Sequence, residues 1–192
     1  MNNNKTEYLK EIFTKLNDSN FRYAVLRGYE TLPFEVSHDI DFGVHFDDLN
    51  SMVKELENIS HQFGYKLVYK SERMDFSQLY FYHEGHCLKL DFWTEFSYKG
   101  LKYLEMHSVL QQTKIHNGIK VLNEEAEVLV SFLKEFLHNS LIRKDKINIL
   151  KEKLCKSSFM NIESLYLSNK NMIDFSSYIL QSKTELKTEA KG

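Results

Sequence analysis

The stretch VSHDIDFGVHF, residues 36–46, carries two aspartates, Asp39 and Asp41, in a run that alternates polar and apolar side chains. Successive side chains of a β-strand point to opposite faces, so a strand here places both carboxylates on the same face. Their Cβ atoms would lie about 7 Å apart, where two carboxylates repel each other in a site that excludes water. The stretch therefore predicts a core strand that needs a specific reason to accept two acids.

Composition limits the classes of protein to which the chain can belong. With 192 residues and a net charge of −2, it can form one domain, or a compact domain with a smaller appendage. The balanced charge argues against an electrostatic nucleic-acid binder, and no apolar run approaches the roughly 18 residues of a membrane span. The N-terminus has no apolar signal core, and Cys87 and Cys155 lack metal-ligand spacing. We therefore expect a soluble, cytoplasmic protein without a disulfide framework.

Hydrophobic periodicity predicts a mixed α/β unit followed by a helical unit. Amphipathic helices are expected over residues 5–20 and 47–64, the second with Asp47 or Asp48 as its cap. A tight turn at Gly85 is expected to form a β-hairpin. The predicted strands cover residues 21–28, 39–46, 65–73, 77–83, 87–93 and 118–122.

After Leu122 the pattern becomes helical. Residues 123–142 begin with acidic side chains, which suit the first turn of a helix, and continue as an amphipathic stretch. Further helical stretches follow, and the last residues are polar. We predict a mixed α/β domain over 1–122, a helical subdomain over 123–180, and a polar tail over 181–192 that is expected to be disordered.

A third aspartate, Asp91, lies in the stretch CLKLDFW, residues 87–93. Alternation places it on one strand face with Lys89 and Trp93, opposite three apolar side chains. If this strand neighbours the strand of Asp39 and Asp41, three carboxylates converge on one rim. Hard oxygen ligands select Mg²⁺ or Mn²⁺, and two such ions about 4 Å apart can clamp an in-line displacement at phosphorus. The three aspartates are therefore predicted to bind metal and, through it, phosphate.

The stretch VLRGYETLP, residues 25–33, ends a predicted strand at a glycine. Gly28 would let backbone N–H groups approach phosphate oxygens without a side chain between them. Arg27 beside it could add positive charge and a bidentate fork. These two residues are the predicted phosphate contacts.

Taken together, Leu26-Arg27-Gly28, a spacer, Asp39-Ile40-Asp41 and the later Asp91 resemble the polymerase β-type nucleotidyltransferase superfamily. The likeness is greatest to small bacterial nucleotidyltransferase-fold proteins that carry an Arg-Gly-Tyr-Glu-x-Leu-Pro stretch, and its motifs cover roughly residues 21–95. It implies a mixed-sheet α/β (α+β) nucleotidyltransferase core, the catalytic domain over 1–122, with a C-terminal helical subdomain.

The resemblance also implies residue roles. Asp39 and Asp41 would bind the Mg²⁺ or Mn²⁺ ions, and Asp91 would share a metal and orient the acceptor hydroxyl. Gly28 would line the phosphate loop, and Tyr29 stands where the family has a small residue. In related enzymes the helical domain contributes basic residues to the nucleotide. The corresponding candidates here are Lys134, His138, Arg143 and Lys144.

Each of these features also has a purely structural interpretation. Asp91 could simply pair with Lys89 on a solvated strand, and Arg27 with Glu30 or Glu35. The basic residues from Lys134 onward could simply form the solvent-exposed face of an amphipathic helix. A zinc site is a weaker hypothesis than a hairpin turn for the residues His83, His86 and Cys87, because no second cluster completes four ligands.

The predicted reaction is Mg²⁺-dependent transfer of a nucleoside monophosphate from an NTP to a hydroxyl acceptor, with release of pyrophosphate. A small molecule, a sugar or a protein hydroxyl is favoured as acceptor over a polynucleotide, because the chain has no basic track. The alternative is a non-catalytic module on the same fold that binds a nucleotide or a partner. A homodimer, or a complex with a separate helical protein, is also compatible with the helical segment.

Overall fold

The computed structural model describes residues 2–36, 39–73, 75–98 and 101–134. The chain divides after Asn123 into two units. The helices of the first unit are α1 (Asn2–Asp18), α2 (Phe46–Gln62) and α3 (Met106–Leu110). Its strands are β1 (Tyr23–Arg27), β2 (Asp39–Val44), β3 (Lys66–Glu72), β4 (Phe76–His83), β5 (His86–Trp93), β6 (Phe96–Tyr98), β7 (Leu101–Leu104), β8 (Thr113–His116) and β9 (Ile119–Leu122).

Seven of these strands form one mixed sheet, in the order β3-β4-β5-β2-β1-β9-β8. β2 is parallel to β5, and β1 is parallel to β9, whereas the other neighbours are antiparallel. β6 and β7 pair with each other in a separate two-stranded sheet. The mixed sheet with its helices confirms the predicted α+β class.

One face of the central strands forms the hydrophobic core. Ile40 and Phe42 of β2 lie beside Leu90 and Phe92 of β5, and all four are buried. The two phenylalanine rings stack with their centroids 5.3 Å apart. The apolar stripes of α1 and α2 join the same core through the buried side chains Tyr8, Leu9, Ile12, Leu16, Met52, Val53, Leu56 and Ile59. Because this face is filled by helices, the polar residues of β2 and β5 must lie on the other one.

The opposite face of the sheet is covered at one end by α3. A Cβ atom added at Gly43 would lie 2.8 Å from Cδ2 of Leu26 and 3.1 Å from Sδ of Met106 in α3. Gly43 follows Asp41 by two residues on β2 and therefore shares its face. The absence of a side chain lets α3 approach the sheet closely at this point.

The second predicted helix is confirmed as α2, but its cap is not an aspartate. His45 is the N-cap residue, and its side chain accepts a hydrogen bond from the backbone N–H of Asp47. Asp47 and Asp48 lie in the first turn, where carboxylates suit the helix dipole. Both bind the side chain of Arg22, with Nε of Arg22 2.8 Å from Oδ2 of Asp48. The prediction of an aspartate cap is therefore wrong. Asp47 and Asp48 lie inside the helix, and their carboxylates bind the side chain of Arg22.

The strands predicted before Leu122 are all present, and the predicted hairpin joins β4 and β5 at Glu84 and Gly85. Leu79 and Phe81 are buried together, as alternation predicts, while Tyr82 on the other face is exposed. The predicted strand over 118–122 is β9, which lies inside the sheet between β1 and β8. The sequence patterns did not predict β6, β7, α3 or β8.

In the second unit, the predicted helix after Leu122 begins as α4 (Glu124–Leu133). The later predicted helices and the polar tail over 181–192 lie outside the described residues. None of the described helices combines the length and the apolar character needed to cross a bilayer.

Candidate functional site

The parallel pairing of β2 with β5 brings the three predicted aspartates onto one face of the sheet. In this register Asp39 lies opposite Lys89, and Asp41 lies opposite Asp91. Neighbouring strands are about 4.8 Å apart, so Asp41 and Asp91 are direct neighbours. We call Asp39, Asp41 and Asp91 the aspartate cluster. The condition that these two strands be neighbours is therefore met.

Two cationic side chains hold the aspartate cluster together. Nζ of Lys89 lies 3.0 Å from Oδ2 of Asp39 and 2.8 Å from Oδ2 of Asp91. On the other side, Nε of Arg27 donates to Oδ2 of Asp41 at 2.7 Å. The predicted pairing of Asp91 with Lys89 is thus present, but Asp91 is only 5% exposed and Asp41 only 3%. The contacts of Asp41 and Asp91 therefore involve buried carboxylates, whereas the side chain of Asp39 is 34% exposed.

Neutral side chains also donate hydrogen bonds to the two buried carboxylates. Nε2 of Gln78 donates to Oδ1 of Asp91 at 3.0 Å, and Nε1 of Trp93 donates to Oδ1 of Asp41 at 3.4 Å. Each of these carboxylates therefore receives a cationic and a neutral donor on different oxygens. Buried charges are tolerated when they are paired and hydrogen-bonded in this way.

The ionisation of the cluster reflects its burial and its charges. Burial by itself lowers the pKa of Lys89, but its hydrogen bonds to Asp91 and Asp39 outweigh that effect and raise the pKa above its ordinary value. Burial raises the pKa of Asp91; the hydrogen bond from Lys89 opposes this shift, and the charge of Asp41 adds to it. Lys89 is therefore cationic at neutral pH.

Gly28 follows β1 directly, next to the arginine that binds the cluster. Its φ of +67° lies in the left-handed region, which glycine adopts without steric cost. A Cβ atom added there would meet nothing within 4 Å. The backbone conformation, and not crowding, therefore requires glycine at this position. The open space beside it is compatible with the predicted approach of phosphate, which stays a prediction.

The ring of Tyr29 packs into the hydrophobic core. The residue is only 5% exposed, and its ring centroid lies 5.3 Å from that of His116. The bulky side chain therefore has a place of its own in the core. The predicted nucleotide-binding role of Tyr29 stays a prediction.

Of the basic residues predicted on the helical segment, Lys134 lies within the described residues. Lys134 follows α4 in the second unit and is partly buried. His138, Arg143 and Lys144 lie outside the described residues. Their contacts with a nucleotide stay predictions.

Sequence patterns missed Gln78 as a member of the site, although a usable signal existed. The hairpin turn places His83 opposite His86, and antiparallel strands pair one residue forward for each residue back. Five steps from that pair lead to Gln78 opposite Asp91. Counting from the turn at Gly85 would therefore have identified this donor.

Aromatic side chains flank the cluster on the same sheet face. Tyr80 lies opposite Lys89, and its ring is 5.2 Å from that of Tyr69 in an edge arrangement. At the other end, the ring of Trp93 lies 4.5 Å from that of Phe76. Aromatic faces of this kind can pack against the ring of a ligand.

A divalent metal fits the chemistry of the cluster but not its present contacts. Carboxylate oxygens are the ligands that Mg²⁺ prefers. However, Lys89 lies between Asp39 and Asp91, and across the described ranges no group of three or more His, Cys, Asp or Glu side chains is arranged to hold a metal ion. His83, one of the residues considered for a zinc site, has its Nδ1 atom 3.0 Å from the carbonyl oxygen of Gly64. A metal could take the carboxylates only if the ammonium of Lys89 moved.

Comparison with known proteins does not assign the chain to a family. No protein-family model matches the sequence, and no curated protein matches it. Among solved structures, a proposed nucleotidyltransferase from Thermotoga maritima is similar with a TM-score of 0.43 and 20% sequence identity, over 79% of this chain and 92% of that chain. Similarity at this level carries no conclusion about function, so the resemblance to the nucleotidyltransferase superfamily stays a prediction.

Proposed function

We propose that the aspartate cluster is the active site of a nucleotidyltransferase that moves a nucleoside monophosphate from an NTP to a hydroxyl acceptor and releases pyrophosphate. The observation that carries the proposal is the burial of Asp41 and Asp91 side by side on the sheet face opposite the core. Two adjacent buried acids lower stability unless other groups compensate them. A fold that keeps them on the face away from the core therefore suggests a functional use.

Arg27 and Gly28 are the proposed phosphate contacts. The guanidinium of Arg27 already lies against Asp41, at the end of β1, and its planar fork suits phosphate oxygens. Gly28 follows at once and offers its backbone without a side chain. The three aspartates would hold Mg²⁺ or Mn²⁺, which supplies positive charge beside the triphosphate when bound.

Asp91 is the residue proposed to orient the acceptor hydroxyl. Its carboxylate lies beside Asp41 on the sheet face away from the core, where it could accept a hydrogen bond from that hydroxyl. The acceptor is proposed to be a small molecule, a sugar or a protein hydroxyl, because the net charge of −2 does not favour a polynucleotide. The helical segment is proposed to serve a homodimer or a helical partner protein.

A second candidate function is a non-catalytic module that binds a nucleotide or a protein partner. The observation that favours it is that Lys89 and Arg27 already neutralise most of the cluster. In that case the ionic cluster would be a structural element, and binding would not depend on a divalent ion.

Calorimetric titration distinguishes the two candidates. ATP, GTP, CTP and UTP are titrated with and without Mg²⁺ into wild type, Asp39→Asn and Asp41→Asn, with the exposed Asp18→Asn as matched control. The transferase proposal expects Mg²⁺-dependent binding in wild type and in the control, and its loss in the two cluster variants. Nucleotide binding that is equal in all four proteins, or independent of Mg²⁺, would contradict the transferase proposal.

A further inference from the structure

The ammonium of Lys89 lies between two carboxylates of the aspartate cluster. It bridges Asp39 and Asp91, the outer members of the predicted metal-binding trio, through one oxygen of each. We infer that Lys89 and a divalent cation are alternative occupants of this gap, so that Lys89 sets the metal affinity of the site. The inference rests on the proposed function, because it concerns the same carboxylates.

The two occupants exclude each other for reasons of distance and charge. The ammonium lies 3.0 and 2.8 Å from the oxygens that it binds. Mg²⁺ binds carboxylate oxygens at about 2.0–2.1 Å, so an ion held between Asp39 and Asp91 would lie directly beside the ammonium. Two cations held between the same carboxylates repel each other strongly where water is scarce. Metal entry therefore requires that the ammonium leave.

The side chain of Lys89 can move while its strand stays in place. β5 is held between β2 and β4, so the backbone of Lys89 is fixed in the sheet. The side chain is 26% exposed, and its four-carbon stem can rotate toward solvent. A bound triphosphate would offer the displaced ammonium a new anionic partner. The site is therefore expected to accept metal readily only together with a nucleotide.

Direct measurement of metal affinity tests this inference without an activity assay. Mn²⁺ is titrated into wild type and Lys89→Met in the absence of nucleotide, and free Mn²⁺ is followed by its electron paramagnetic resonance signal. Hydrogen bonds between charged groups are each strong enough to change an equilibrium by about tenfold or more. We therefore expect Lys89→Met to bind Mn²⁺ at least about tenfold more tightly than wild type.

Lys102→Met is the matched control. Nζ of Lys102 also lies between two carboxylates, 3.1 Å from Oε2 of Glu95 and 3.7 Å from Oε2 of Glu105, away from the aspartate cluster. Its removal is expected to leave Mn²⁺ affinity unchanged. If repulsion among the aspartates prevents Lys89→Met from folding, Lys89→Gln removes the charge and keeps a donor. The same increase in affinity is then expected, and Mn²⁺ should raise the melting temperature of Lys89→Gln more than that of wild type.

The outcomes separate this inference from the proposed function. Mn²⁺ affinity that is equal in wild type and the Lys89 variants, or absent from all of them, would overturn the inference. If Mn²⁺ affinity is equal in wild type and the Lys89 variants but wild type binds nucleotide in a Mg²⁺-dependent way, the inference fails and the proposed function stands. Conversely, tight Mn²⁺ binding by Lys89→Met with no nucleotide binding by any variant would support the inference and reject the proposed function.

Discussion

The ion pair between Arg27 and Asp41 is expected to contribute strongly to stability, because one partner is almost fully buried. Arg27→Met removes the guanidinium that lies 2.7 Å from Oδ2 of Asp41 and leaves a carboxylate whose side chain is only 4% exposed. Breaking a buried pair from one side costs about 3–5 kcal/mol. Because the side chain of Arg27 is 24% exposed, water can partly replace it, and we expect the lower end, about 3 kcal/mol. Urea unfolding monitored by circular dichroism measures the change.

A control and a double variant make the expectation specific to burial. Arg22→Met breaks the pair with Asp48, in which the arginine side chain is half exposed, and should cost much less stability than Arg27→Met. Arg27→Met/Asp41→Leu removes both charges, and should be more stable than Arg27→Met alone by about 1–2 kcal/mol. A loss below about 1 kcal/mol for Arg27→Met, or strictly additive losses in the double variant, would refute the assignment of this pair as a buried one.

Three further expectations concern single residues. Gly28→Ala should lower the free energy of unfolding by about 1 kcal/mol, because φ is +67° while no atom obstructs a Cβ, and equal stability in urea unfolding would contradict this. Gln78→Leu should cost about 1–2 kcal/mol by removing the neutral donor to Oδ1 of Asp91, and Gln78→Glu should cost more because it adds a fourth carboxylate. The hydrogen bond from Arg22 holds the pKa of Asp48 below its usual range, so its contribution is present above the unfolded pKa and is lost as pH falls through the folded pKa. Asp48→Asn should therefore be less stable than wild type at pH 7, and thermal unfolding should show this difference shrinking as the pH is lowered toward about 2.

Local alternation was sufficient to predict the face on which each side chain of the site lies. A strand has a period of two, so Asp39 and Asp41 had to share a face, as had Lys89 and Asp91. The same rule placed Leu79 and Phe81 in the core. Turn chemistry also acts over a few residues, which is why the hairpin at Gly85 was predictable.

Contacts between distant segments were not predictable from periodicity. Nothing in the pattern of β2 states that its neighbours are β1 and β5, or that β9 lies inside the sheet. The cap of α2 was mispredicted for the same reason, since Arg22, which engages Asp47 and Asp48, lies more than twenty residues earlier. Such pairings depend on which arrangement of the whole chain buries the most apolar surface.

The sequence by itself therefore determined α1, α2, β1 to β5, β9 and the acidic residues of one sheet face, because those features follow from local steric and hydrophobic rules. Only the tertiary structure decided that Asp41 and Asp91 are neighbours, that Lys89 bridges Asp39 and Asp91, and that the ring of Tyr29 lies in the core. Register between strands is a property of two segments that meet in space. The charge balance of this site depends on that register, because the register brings Asp39 and Asp41 of β2 beside Lys89 and Asp91 of β5.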